Sequence, residues 1–180
     1  LVLGSQSQGL TAVELAGAYS IFNDGKFTTP HYWTEIYDSD GNLYLDNSKR
    51  VTTVQAIDPA AATIMNRLLS NVWKTPGTAN GMKPETEGID TIGKTGTTSD
   101  FKDYTFAGVS PYYSTAVWWG YDAPYDMTNT LSKNQAKTRT CVTAWKAYME
   151  EVQKDLAYKA FPAADGVVER AYCTQSGLLA

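Results

Sequence analysis

Apolar residues recur at helical spacing in three stretches of the chain. Thr11 and Glu14 form a capping-box pair ahead of a helix that should stop at Asn23-Asp-Gly25. Asp58 and Pro59 open a second helix running to about Val72, with Ala61, Ile64, Met65, Leu68, Leu69 and Val72 on one face. A third is predicted over residues 138–157, where Val142, Trp145, Met149, Val152 and Leu156 make a stripe expected to pack on a sheet. Between the second and third helices the pattern changes. Residues 89–98, 104–110 and 113–121 are β-branched and aromatic runs with short connections, the signature of an antiparallel meander. Residues 33–37 and 43–45, separated by Asp38-Ser-Asp-Gly-Asn42, predict a peripheral hairpin. From about Pro162 the periodicity fades into an extension, with some strand expected at 167–171.

With 180 residues and a hydrophobic fraction of 43%, the chain can build one packed core. A net charge of −4 with no run of Lys or Arg argues against nucleic acid or an anionic membrane as partner. The longest bulky apolar run, Ala116 to Trp119, is far too short to span a bilayer. Cys141 and Cys173 lack zinc-site spacing; Cys141 reads as core. Cys173 is a candidate to pair with a residue beyond Ala180 or with Cys141. His31 stands beside Pro30 without a cluster and is expected to be neither ligand nor catalyst. No metal and no organic cofactor is implied.

Candidate chemistry concentrates in Gly88-Ile-Asp-Thr-Ile-Gly-Lys-Thr-Gly-Thr-Thr98, which satisfies two incompatible motifs. As G-x-x-x-x-G-K-T it is a phosphate loop, and as Lys94-Thr95-Gly96-Thr97 it is the K-T-G element of acyl-transfer enzymes. A phosphate loop needs a strand before it and a helix after it. Here a polar, Pro-broken stretch precedes Gly88, and Gly96, Thr97, Thr98, Ser99 and Asp100 are poor helix formers. Ile89, Thr91 and Ile92 are β-branched where a tight loop wants glycine. The segment therefore reads as a strand carrying Lys94, and the nucleotide reading fails.

Gly93-Lys-Thr-Gly-Thr-Thr-Ser-Asp-Phe-Lys-Asp103, Phe106-Ala-Gly-Val-Ser-Pro111 and Ala116-Val-Trp-Trp-Gly120 together resemble the transpeptidase domain of class A penicillin-binding proteins. Residues 10–19, Phe22-Asn-Asp-Gly25 and Pro30 resemble the helix and return strand upstream in that family, and Gly77-Thr-Ala79 its turn before the lysine strand. The resemblance covers about residues 8–180 and implies an α/β (α+β) fold: an antiparallel sheet flanked by helices, of the β-lactamase/transpeptidase type. It assigns catalytic roles to Lys94, as positive potential and proton shuttle, and to Thr97, whose N–H would complete the oxyanion hole. Thr95, Gly96, Thr97 and Thr98 would bind substrate: the Thr95 and Thr97 hydroxyls hold a carboxylate, and side-chain-less Gly96 lets an acyl group lie against the backbone. The implied partners are peptidoglycan stem peptides and β-lactams, met on the extracytoplasmic face of the bacterial membrane.

Two further motifs of the family, S-x-x-K and S-x-N, precede K-T-G in sequence. Ser99-Asp-Phe-Lys102 and Ser132-Lys-Asn134 spell both strings, but after Lys94, in solvated sequence with no apolar periodicity to bury the base. Leu1 in place of Met fits a chain cut from a longer one. The expectation is the C-terminal half of a transpeptidase domain over residues 1–161, then an extension over 162–180, inactive alone and needing the other half of the domain as partner. A β-lactamase shares the lysine strand, though the tail to Ala180 and the sequence around residues 120–135 argue against it. A non-catalytic penicillin- or wall-binding sensor is the alternative from another class.

Overall fold

The computed structural model describes residues 9–128 and 137–179; Ser132-Lys-Asn134 lies outside the described residues. Thr11 caps α1 (Ala12–Tyr19): its hydroxyl accepts from Glu14 N–H while Glu14 reaches back to Thr11 N–H. The helical path continues as a 3-10 turn, Ser20–Phe22, and ends where Asp24 and Gly25 turn left-handed at φ 63° and 74°. Strand β1 (Lys26–Thr28) pairs antiparallel with β4 (Thr53–Gln55), and β2 (Glu35–Tyr37) with β3 (Leu43–Asp46) as the expected exposed hairpin. The pairing of β1 with β4 closes a loop of some 25 residues and has no signal in the sequence pattern.

The main sheet is the predicted meander. Strand β5 (Ile92–Thr97) pairs with β6 (Asp103–Val109), which pairs with β7 (Ser114–Gly120), all antiparallel in the order β5-β6-β7. Its register sorts side chains to two faces. Ile92, Lys94 and Gly96 share one face with Thr105, Ala107, Val109 and Ser114; Gly93, Thr95 and Thr97 share the other with Tyr104, Phe106 and Thr115. The Ser114 hydroxyl donates to Ala16 O at 2.6 Å, which puts α1 on the Lys94 face. Thr115 donates to Met149 Sδ at 3.5 Å, which puts α3 (Lys137–Gln153) on the opposite face.

The core lies between that second face and α3. Trp145 stacks on Trp73 at 5.8 Å between ring centroids and meets Phe106 edge-on at 5.1 Å, with Tyr104, Met127, Cys141, Val142 and Met149 closing around them. Offset and edge-on ring packing of this kind adds to simple burial. The stripe expected on the third helix is thus the one buried for Val142, Trp145 and Met149, although the helix ends at Gln153 and leaves Leu156 outside it.

The structure departs from the expected pattern at α2 and in the tail, and decides between the alternatives for the two cysteines. α2 (Pro59–Leu69), capped by Asp58, buries Ala62, Thr63 and Asn66 and leaves Ile64 and Leu68 more than half exposed. The contact it makes is polar: Asn66 Nδ2 donates to Phe22 O at 2.9 Å, and Thr63 Oγ1 accepts from Ala164 N–H at 3.0 Å. Small and hydrogen-bonding side chains fit that approach; Ile64 and Leu68 face away from it, whereas Val72, in the Ser70–Trp73 3-10 turn that follows the helix, is buried in the core. Residues 167–171 form no strand; an isolated bridge joins Tyr172 to Leu179 instead. Cys141 and Cys173 are both free thiols, one buried and one exposed, so they do not pair with each other. Burial pushes the Cys141 thiol up to about 11.

Candidate active site

Lys94 lies mid-strand in extended backbone, not at the head of a helix, so its surroundings do not form a phosphate loop. Among the described residues β5 is an edge strand, its one neighbour in the sheet being β6. Thr98 N–H donates to Asp103 O at 3.1 Å, so by antiparallel alternation the backbone groups of residues 94 and 96 face β6. The N–H and C=O of Thr95 and Thr97 consequently point away from β6, along the outer edge. Lys94 confirms that direction: its Nζ curls round to donate to Thr95 O at 2.8 Å. Its side chain is exposed, on the face of the sheet carrying α1.

The N-terminal half of that outer edge is covered. A 3-10 turn, Ser70–Trp73, runs beside it, and Trp73 Nε1 donates to Thr91 O at 2.8 Å. Thr78 follows, its hydroxyl 2.8 Å from the hydroxyl of Thr95, which is only 7% exposed. Beyond Thr95 the strand emerges: Gly96 is half-buried and Thr97 exposed. The result is a ledge. A lysine stands on one face of it, a hydroxyl pair lies behind it, and backbone donors are directed along its rim. Such an arrangement can meet an anionic group and offer N–H to developing negative charge.

The family profile described as the penicillin-binding protein transpeptidase domain matches residues 3–141. The chain belongs to that family. Among relatives, penicillin-binding protein 1A of Clostridium tetani is 36% identical over 94% of this chain and 21% of its own length. Penicillin-binding protein 1A of Clostridium perfringens is 39% identical over 91% of this chain and 19% of its own. The chain therefore spans about a fifth of the length of these curated relatives. The penicillin-binding protein PonA1 of Mycobacterium tuberculosis superposes with a TM-score of 0.67 at 25% identity, over 84% of this chain and 40% of that one. Penicillin-binding protein 1A of Haemophilus influenzae shares the fold with a TM-score of 0.76, 22% identity, and coverage of 95% and 30%. The resemblance read from the lysine strand, and the transpeptidase-like fold it implied, are borne out.

Within this transpeptidase-family chain, Lys94, Thr95, Gly96 and Thr97 fall on one strand and Thr98 at its end, but they are not equivalent. Thr95 is buried against Thr78. The Thr98 hydroxyl accepts from the N–H groups of Lys102 and Asp103, both at 3.0 Å, and so closes the turn into β6; only its own proton remains to offer a ligand. Gly96 has a second reason to lack a side chain. A Cβ there would sit 2.2 Å from Thr105 Oγ1 on the paired residue of β6. Ser99 is exposed in that turn and Lys102 is ion-paired to Asp100 at 3.0 Å, so the S-x-x-K string at 99–102 holds no buried serine–lysine pair. Thr78 is the site residue that pattern reading missed as a participant. Its turn matched the family, but nothing in the spacing says that residue 78 meets residue 95.

Among the described residues no three His, Cys, Asp or Glu side chains group so as to hold a metal. Likewise, no described helix is long and apolar enough to cross a membrane.

Proposed function

We propose that this segment forms one wall of the acyl-transfer site of a serine D,D-transpeptidase that cross-links peptidoglycan stem peptides and is acylated by β-lactams. One observation carries the reading: in a chain of the transpeptidase family, Lys94-Thr-Gly-Thr97 occupies an extended edge strand whose Thr97 N–H is turned outward along the rim. In that reaction a serine outside this segment attacks the penultimate D-alanine carbonyl. The Thr97 N–H receives the oxyanion, the leaving D-alanine departs with a proton, and an amine acceptor then takes the acyl group. Lys94 adds positive potential and moves a proton, and Thr95 and Thr97 hold the terminal carboxylate with Thr98 at the margin. Gly96 keeps the acyl chain close to the backbone.

The rest of the transpeptidase domain is the partner that completes the cleft, and the relatives, about five times longer, leave ample chain to supply it. Residues 1–161 then belong to the domain and 162–180 extend it. Stem peptides place the working protein on the extracytoplasmic face of the membrane, held by an anchor outside this segment. The test is covalent labelling of the longer protein by a fluorescent penicillin. Replacing Lys94 by Ala should slow labelling by roughly 10²–10⁴-fold, the range for a positioned proton-transfer group; labelling indifferent to residue 94 would overturn the reading.

A further inference from the structure

The hydroxyl pair behind the ledge is held more firmly than its polar contact alone requires. Gly77 sits so close beneath the preceding 3-10 turn that a Cβ there would lie 2.3 Å from Asn71 O and 2.5 Å from Val72 O. Its N–H donates to Lys74 O, Ala79 N–H donates to Val72 O at 3.1 Å, and Ala79 is fully buried. The turn is thus seated in the carbonyls of residues 72–74, while Trp73 ties the same segment to Thr91 at the start of β5. Thr78 is the side chain that this frame presents to β5. Its hydroxyl stands 2.8 Å from Thr95 Oγ1.

A threonine hydroxyl has one proton to donate and two lone pairs to accept with, so a pair of them shares a single hydrogen bond and keeps one proton over. At 7% exposure Thr95 has little water with which to satisfy that remainder. Thr78 is exposed and can give its own proton either to water or to Thr95, so a carboxylate that accepts from Thr95 sets the pair with Thr78 as donor. We infer that Thr78 is a positioning residue of the acyl-transfer site: it donates to Thr95 Oγ1 and so keeps the Thr95 proton for a carboxylate lying along the outer edge of β5. Reversal of the pair would turn the Thr95 proton inward and set a lone pair against the carboxylate. This inference rests on the acyl-transfer reading above and adds a residue, and a direction of donation, to it.

The experiment compares acylation of the longer protein by a penicillin with acylation by the methyl ester of the same compound, which lacks the anionic carboxylate. Thr78→Val keeps the shape and removes the hydroxyl. It should lower the acid-over-ester preference roughly tenfold, the worth of one hydrogen bond to a charged group, while Thr78→Ser keeps the wild-type preference. Thr95→Val should give a similar loss, and the double variant little more than either single one, because the two act through one proton. Equal slowing of acid and ester by Thr78→Val, or fully additive losses, would mean that the turn only supports the strand and would overturn the inference. Should Thr78→Val lose its melting transition, Thr78→Ser decides: a lost preference there overturns the inference as well. A wild-type protein that no penicillin acylates removes the acyl-transfer reading itself, whereas unchanged preference in an acylated Thr78→Val protein sinks only the role of Thr78.

Discussion

A methyl group added at Gly96 would meet Thr105 Oγ1 at 2.2 Å, and the two residues face each other across a strand pair whose backbones cannot drift apart cheaply. Gly96→Ala should therefore destabilise the fold by about 1–3 kcal/mol, the usual cost of overpacking, and Thr105→Ala in the same chain should recover most of it. Denaturant midpoints of the single and double variants decide this. If Thr105 merely rotates away, the single variant unfolds at the wild-type midpoint. Cys141 offers a second residue-scale test. Its thiol is fully buried with Sγ 3.3 Å from Tyr104 O, and its folded value of about 11 lies above the ordinary 9.0. The unfolded chain releases that proton first as pH rises, so the Cys141 contribution is intact below pH 9 and is lost as pH climbs through about 11. Unfolding midpoints between pH 8 and pH 11 should fall more steeply in the wild type than in Cys141→Ala.

Strands β5, β6 and β7 were legible because each carries its own β-branched and aromatic run and short links leave only antiparallel pairing. Helix α3 was legible because Trp145 and Met149 repeat at helical spacing and large apolar side chains pack where they can. α2 misled for the opposite reason: Ile64 and Leu68 mark an apolar face, yet Thr63 and Asn66 make the contacts, through hydrogen bonds that hydropathy does not register. The candidate site divides in the same way. Lys94 to Thr97 could be placed because motif and strand coincide in one short string. Thr78 could not be given a partner, because its meeting with Thr95 depends on how a turn is seated against Asn71 and Val72, and that is tertiary geometry.

At the scale of the molecule the main sheet has two edges, and they differ in kind. The edge at β5 is partly sheltered by the 70–80 segment, whereas β7 presents Trp118 and Trp119 at 43% and 44% exposure along a seven-residue strand. An apolar edge of that length is a template for pairing with another strand. The 180-residue chain by itself should therefore associate with rising concentration, and Trp119→Lys should shift it toward monomer in sedimentation velocity. A chain that stays monomeric at high concentration, with or without the lysine, would show that the β7 edge is already protected.

The tail beyond α3 has a mechanical consequence. Lys159 O accepts from Asp90 N–H, Phe161 N–H donates to the Asp90 carboxylate, and Ala164 N–H is fastened to Thr63. The first two clasps hold Asp90, two residues before β5, and the third ties the tail to α2, so the last stretch of polypeptide acts as a splint on the root of the lysine ribbon. Shortening the chain to before residue 161 would loosen that root from a distance, with no atom of the ledge itself altered.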